Sequence, residues 1–268
     1  MKNHFACPSY VIPESTKDNI NFLQGKVSEI ALLVFEPSLP NMQDLQAFTG
    51  KWHIHLPYSL PHDFYFNYTK YNKENILYSE KTKWVDAWKL AHTKQDIQKF
   101  CHINIEIIQH CQQIKPHLAV LHLPNASLPN AKKFLEIFLD TWEKYLPLSM
   151  LCLENVRNAS YVAFKNILLE RNCSLCFDMA HALTYNQTNL LNYSNFMNNV
   201  KIIHWSAPFE EHNIQMGKDK HLGLYHLKEH KKYCMDIIAK TPNVITHVLE
   251  LFSWKEIEKS IPFFQQLL

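Results

Sequence analysis

Short apolar runs separated by longer amphipathic stretches organise the chain. The runs lie at 4–12, 29–36, 51–57, 118–124, 148–154, 173–178, 200–205 and 244–252. Most are too short for helices and are rich in β-branched or aromatic residues, which marks them as strands. Between them, 16–25 follows Ser15, a side chain suited to an N-cap, and Gly25 suits the helix end. Residues 95–114 set Ile97, Phe100, Ile103, Ile107 and Ile108 on one stripe, and 129–146 space Phe134, Leu135, Phe138 and Trp142 as a helical face. Strand–helix alternation repeated eight times predicts a parallel α/β sheet. Eight units predict its closure into one (β/α)8 barrel over 1–268. One connection is too long to be ordinary. About sixty residues part the third and fourth runs, and 61–84 is rich in Tyr, Phe and Asn with little period. We read this insertion after strand 3 as a substrate-covering loop, with surface decoration as the alternative.

In such barrels chemistry sits at the C-terminal ends of the strands. His55, His122, Glu154, Asp178, His204 and Glu250 close six of the runs. His181 follows Asp178 by three residues, and Asp219 and His221 lie in the GKDKH segment. Alternate residues of a strand face opposite sides. Counting back by two from the candidates gives His53, Val120, Cys152, Cys176, Ile202 and Val248. The other parity (Ile54, Leu56, Leu121, Leu123, Leu151, Leu153, Leu175, Phe177, Leu249 and Leu251) is uniformly apolar and suits the face beneath the helices. The candidates therefore point together into the barrel mouth. Singly, a strand-end histidine is more often a hydrogen-bonded core residue than a ligand. Collectively, several carboxylates and imidazoles brought together repel and desolvate one another unless a cation joins them. Mixed His and carboxylate donors suit Zn, Mn or Fe.

Weaker features surround this set. Cys173 and Cys176 form a CxxC inside a strand with no second pair, which argues against a zinc knuckle. Arg157, after the fifth strand, suits a phosphate contact or a structural salt bridge. His53 reads as a polar layer beneath the site. His4, His62, His92, His102, His110, His117, His226 and His230 show no convergent partners and read as surface or packing residues.

Composition narrows the chemistry. The chain has 268 residues, and its four glycines include no GxGxxG, Walker A or GxSxG pattern. The formal charge is +2, and only Arg157 and Arg171 are arginines, which weighs against a nucleic-acid partner and towards a small molecule. Seven cysteines without regular spacing, no signal-like apolar opening and no membrane-length apolar run point to a reduced, cytoplasmic protein that avoids membranes.

The strand-end Glu154, Asp178, His204 and Glu250 resemble the metal quartet of the xylose-isomerase-like barrels, a group that includes sugar isomerases, epimerases and endonuclease IV. The FDMAH segment (Asp178, His181), the DKH segment (Asp219, His221) and His122 resemble the endonuclease IV branch. There such residues share two or three metal ions that hydrolyse phosphodiesters, and His55 could supply a further histidine of that cluster. Residues 9–40, followed by HIHLPYSLP, are similar to the opening of cobamide-remodelling phosphodiesterases, as are LCLENV, CFDMAH and the HW…DKH segment. This resemblance implies hydrolysis of the nucleotide loop of cobamides, the vitamin B12 group, with the cobamide as partner. It implies two or three divalent ions, zinc foremost, held by His122, Glu154, Asp178, His181, His204, Asp219, His221 and Glu250. Glu154, Glu250 and Asp178 would be catalytic, with His55, Tyr58, Arg157, Lys218 and Trp205 placed to meet substrate. The competing expectations are a single-metal sugar or sugar-phosphate isomerase or epimerase, an abasic-site endonuclease, and a barrel that binds metal or cobamide without turnover.

Overall fold

The computed structural model describes residues 3–34, 40–61, 84–209 and 221–268. Eight parallel strands close into a barrel: β1 (Asn3–Pro8), β2 (Val27–Leu33), β3 (Lys51–His55), β6 (Leu118–His122), β7 (Leu151–Glu154), β8 (Ser174–Asp178), β9 (Val200–Trp205) and β10 (Thr246–Leu249). Their order around the barrel is β1-β10-β9-β8-β7-β6-β3-β2. Each strand overlaps an apolar run expected to form one. The run at 148–154 is the partial exception, because Leu148–Met150 is a 3-10 turn that leads into β7.

Two short strands lie outside the barrel. β4 (Ser59–Pro61) and β5 (Trp84–Asp86) pair antiparallel and bracket the insertion after β3. The predicted covering loop between them, with His62, lies almost entirely at 62–83, outside the described residues.

Strand alternation divides the interior as the pattern predicts. Ala6, Ala31, Leu118, Val120, Cys152, Cys176, Ile202 and Val248 form a separate buried cluster inside the barrel. Ile54, Leu56, Leu121, Leu123, Leu151, Leu153, Leu175, Phe177, Leu249 and Leu251 belong to the larger core between strands and helices. Cys173 and Cys176 fall in these two different clusters, so the CxxC is a packing feature. All seven cysteines are buried and free.

The helices follow their signals. Thr16–Leu23 begins on Ser15, whose hydroxyl accepts from the Asp18 N–H, and ends before Gly25 at φ 78°, a conformation that favours glycine. Lys94–His110 opens with a capping box between Thr93 and Asp96 and buries Ile97, Phe100, Ile103, Ile107 and Ile108. Ala131–Trp142 buries Phe134, Leu135, Phe138 and Trp142. Among the described residues no helix is long and apolar enough to cross a membrane.

Candidate metal centre

Register carries the polar strand ends to one level. Across the sheet His122 stands opposite Glu154, and Asp178 opposite His204. Glu250 follows the end of β10, its N–H donating to the Trp205 carbonyl at 3.1 Å. Glu154 is the hub. Its Oε2 lies 3.2 Å from His55 Nε2 and 3.6 Å from His122 Nε2, and its Oε1 lies 3.3 Å from His204 Nδ1. Glu250 Oε2 sits 3.1 Å from His204 Nδ1 and 3.7 Å from His221 Nδ1. Asp178 Oδ2 is 3.9 Å from His204 Nδ1. Glu154, Asp178, His204 and Glu250 are all buried.

Asp178 ends β8 and caps the next helix, Met179–Thr184. Its Oδ1 accepts from the His181 N–H at 2.6 Å, which leaves Oδ2 for the cluster. The same turn places the His181 ring 6.5 Å from that of His122. His221 approaches from the far side with its Nδ1 3.0 Å from Ser206 Oγ and its ring against Phe252. Tyr58 stacks on His122 with ring centres 4.0 Å apart.

Burial and mutual charge set the protonation states. Burial pushes the Asp178 carboxyl well above its ordinary range, and the neighbouring Glu250 and Glu154 charges push it the same way. For Glu154 burial acts upward but is outweighed by His204 and His122, and for Glu250 by His204 and His221, so both carboxyls stay well below the usual range. Burial alone would discharge His204, yet Cys176 and then the Glu250 and Glu154 carboxylates beside it hold it well above an ordinary histidine. Burial brings His122 down to about 3, leaving a neutral imidazole with a lone pair to offer.

These residues fit divalent metal ions. Asp178 Oδ2, Glu250 Oε2 and both ring nitrogens of His204 are buried without a hydrogen-bond partner among the described residues. An orphaned buried polar group costs about 1–3 kcal/mol, more when charged. The close approach of His204 to three carboxylates is thus one without hydrogen-bond geometry, as when lone pairs aim at a common point between them. Glu154, Asp178, His204 and Glu250 form one such group, and Glu154 also belongs to a second group with His55 and His122. Overlapping groups that share a carboxylate suit more than one ion.

Above the cluster opens a cleft of about 510 Å³ whose lining includes His55, Tyr58, His122, His181, His221 and Arg157. Arg157 stands at its lip with the guanidinium 5.7 Å over the Tyr185 ring. Asp219 and Lys218 lie outside the described residues. Trp205 corrects an expectation. It has the opposite strand parity to His204, is fully buried, donates from its indole to His247 Nδ1 at 3.0 Å and packs against Phe264. It is a core residue beneath the helices, not a substrate contact.

Sequence reasoning passed over Asn155. Its Oδ1 accepts from the Asp178 N–H at 2.8 Å, and its Nδ2 donates to the Asp178 carbonyl at 3.1 Å and to Gln187 Oε1 at 3.2 Å. Gln187 in turn donates to the Val156 carbonyl at 3.0 Å. The one available signal was an amide directly after a strand-end glutamate in LCLEN.

No family model matches the sequence, and no curated protein does. Solved structures do match in fold. Endonuclease IV from Thermus thermophilus superposes with a TM-score of 0.61 at 10% identity, covering 100% of this chain and 98% of that one. A xylose isomerase domain protein from Alicyclobacillus acidocaldarius subsp. acidocaldarius gives 0.57 at 11%, covering 100% and 98%. A sugar phosphate isomerase/epimerase from Parabacteroides distasonis ATCC 8503 gives 0.55 at 11%, covering 99% and 96%. The fold is therefore a (β/α)8 TIM barrel, shared with these structures. At these identities the likeness concerns the fold alone.

Proposed function

We propose that this chain is a metal-dependent phosphodiesterase that hydrolyses the nucleotide loop of cobamides. The observation that carries the reading is the sharing of Glu154 and Glu250. Glu154 faces His55, His122 and His204, Glu250 faces His204 and His221, and Asp178 completes the buried set. A single-ion isomerase site would need the quartet of Glu154, Asp178, His204 and Glu250. The additional imidazoles of His55, His122 and His221 at the same carboxylates favour a multi-ion centre.

Glu154, Asp178, Glu250, His122, His181, His204 and His221 would hold the ions, with Asp219 joining them on its motif and His55 beside Glu154. When bound, such ions would supply Lewis-acid stabilisation of phosphoryl oxygens and lower the pKa of a bound water to about 7. The chain's own groups do the rest. The buried carboxylates keep the cluster anionic and out of competition with bulk water. Arg157 at the lip meets the phosphate with a permanent positive charge. Tyr58, stacked on His122, gives the opposite wall a flat face for the base or sugar of the substrate. A corrinoid is larger than the 510 Å³ cleft. The nucleotide loop would enter while the corrin ring lies across the mouth, and the covering role of 61–84 belongs to the same proposal.

The test is incubation of the metal-loaded protein with adenosylcobalamin under reducing conditions, with products separated by chromatography and mass. A cobinamide-type product plus a freed riboside of the lower base is expected, and Glu250→Gln should abolish it without unfolding the protein. Intact cobamide with several lower ligands and several metals would overturn the reading. Sugar-phosphate epimerisation is then the next assay, since two of the structures sharing the fold carry isomerase names, and one tightly bound ion per chain would favour it. Near-neutral charge and two arginines weigh against an abasic-site nuclease.

A further inference from the structure

A second polar cluster, which the proposed reaction does not use, lies toward the N-terminal rim of the barrel. Glu29 stands early in β2, His53 lies in β3, and His117 immediately precedes β6. The His117 reading as a residue without partners is corrected here: its Nε2 lies 2.8 Å from Glu29 Oε1, and His53 Nδ1 lies 2.6 Å from the same oxygen. The other oxygen, Oε2, accepts from Thr246 Oγ1 at 3.0 Å. Glu29 and His53 are buried, whereas the His117 side chain keeps 29% of its exposure. The apolar layer of Val120, Cys152, Cys176, Ile202 and Val248 fills the barrel above.

We propose that Glu29, His53 and His117 bind one divalent transition-metal ion of the zinc class, separate from the centre at the barrel mouth. Three donor atoms from three chain segments lie within coordination reach of one another. Two imidazoles and one carboxylate with a fourth position open make a common zinc ligand set. A pocket of about 250 Å³, lined by Glu29, Thr246, His4 and Lys51 but not by the two imidazoles, reaches Glu29 from outside the barrel. Charge favours an ion over a purely hydrogen-bonded triad. Among the described residues the ion-pair partners of Glu29 are these two imidazoles, and neither lysine nor arginine pairs with it. Neutral imidazoles would hydrogen-bond Glu29 but bring no positive charge to it, and both converge on a single oxygen. A shared cation relieves both conditions and ties β2, β3 and the start of β6 together.

The experiment strips the full-length protein with chelator, reloads it with zinc, dialyses it and measures metal per chain. His117→Ala and Glu29→Gln, which leave every ligand at the mouth in place, are each expected to lose one equivalent relative to wild type. Equal zinc in wild type and a folded His117→Ala protein would overturn the proposal. Should both variants fail to fold, wild-type crystals decide through anomalous diffraction at the zinc edge. A peak bounded by Glu29, His53 and His117 is expected, and its absence while the mouth is loaded would overturn the site. Because these variants touch no residue of the mouth, failure here leaves the phosphodiesterase reading standing, and the reverse also holds.

Discussion

Asn155→Ala tests whether the site is held from behind. The Asn155 side chain is fully buried and clamps the backbone of Asp178 through both its N–H and its carbonyl. Truncation leaves the Asp178 N–H without its acceptor and Gln187 Oε1 without this donor. Each buried polar group left unmet costs about 1–3 kcal/mol, so a loss of about 2–6 kcal/mol is expected for the two. Against a typical total of about 5–15 kcal/mol this is large. Urea denaturation of the chelated protein should show a lower midpoint at an unchanged slope. The same clamp sets the angle at which Asp178 enters the helix Met179–Thr184, and so the aim of Oδ2. Zinc affinity at the mouth should therefore fall roughly 10–100-fold, the usual effect of removing an outer-shell partner. Asn155→Asp keeps an acceptor for the Asp178 N–H but loses both donors, and should be intermediate in stability. An alanine variant within about 0.5 kcal/mol of wild type, the range of an inert surface change, and with unchanged zinc affinity would refute the reasoning.

Other perturbations separate core from site. Trp205→Ala should cost about 3–5 kcal/mol as a large buried side chain is lost, read as a lower melting temperature; a variant of normal stability that loses substrate binding would restore the role first expected for it. Burial lowers His247 to about 4, and its Nδ1 must be unprotonated to accept from Trp205. The folded state then binds this proton less readily than the unfolded chain, so its stability is present above about 6.5 and is lost as pH falls towards 4. At 1.36 kcal/mol per pH unit the contribution is at most about 3 kcal/mol, and His247→Gln should show a shallower decline over that interval; parallel curves would dismiss it. Arg157→Ala should raise KM for the phosphodiester roughly tenfold, from about 1.5 kcal/mol of a charge-assisted contact, with the melting temperature unchanged; an unaltered KM would return Arg157 to the surface.

The fold was legible because two periods agree over the whole chain. Strand-length apolar runs alternate with helical stripes, and within the runs a parity count separates Val120, Cys152, Cys176, Ile202 and Val248 from Leu121, Leu153, Phe177 and Leu249. That count also places His122, Glu154, Asp178, His204 and Glu250 at the mouth, because position along a strand is a local property. Trp205 shows the limit of reading proximity instead of parity: one residue after His204, it faces the other way. Asn155 and the Glu29–His53–His117 group were missed for a different reason. Their partners lie 23 to 88 residues away, and only strand order and register bring them together. The 3-10 turn at Leu148–Met150 was absorbed into a strand because its apolar residues carry no period over three positions.

The electrostatics of the mouth explain why so unfavourable a group of side chains is buried at all. Glu154 and Glu250 are held in their charged forms, and their charges, after burial itself, drive Asp178 towards its protonated form. His204, amid these carboxylates, is driven towards imidazolium. Without an ion, the site balances its charge with protons on the atoms whose lone pairs should coordinate. On the proposed reading a cation would displace those protons, so loading should release protons and tighten as pH rises. The hydrogen-bond pattern agrees with this exchange, because Asp178 Oδ2, Glu250 Oε2 and both His204 nitrogens have no hydrogen-bond partner among the described residues to lose when an ion takes the place of a proton. His122 is already neutral and needs no such displacement. On the proposed reading, the additional imidazoles around Glu154 and Glu250 would add ligands without adding negative charge, so that one pair of buried carboxylates could serve more than one ion.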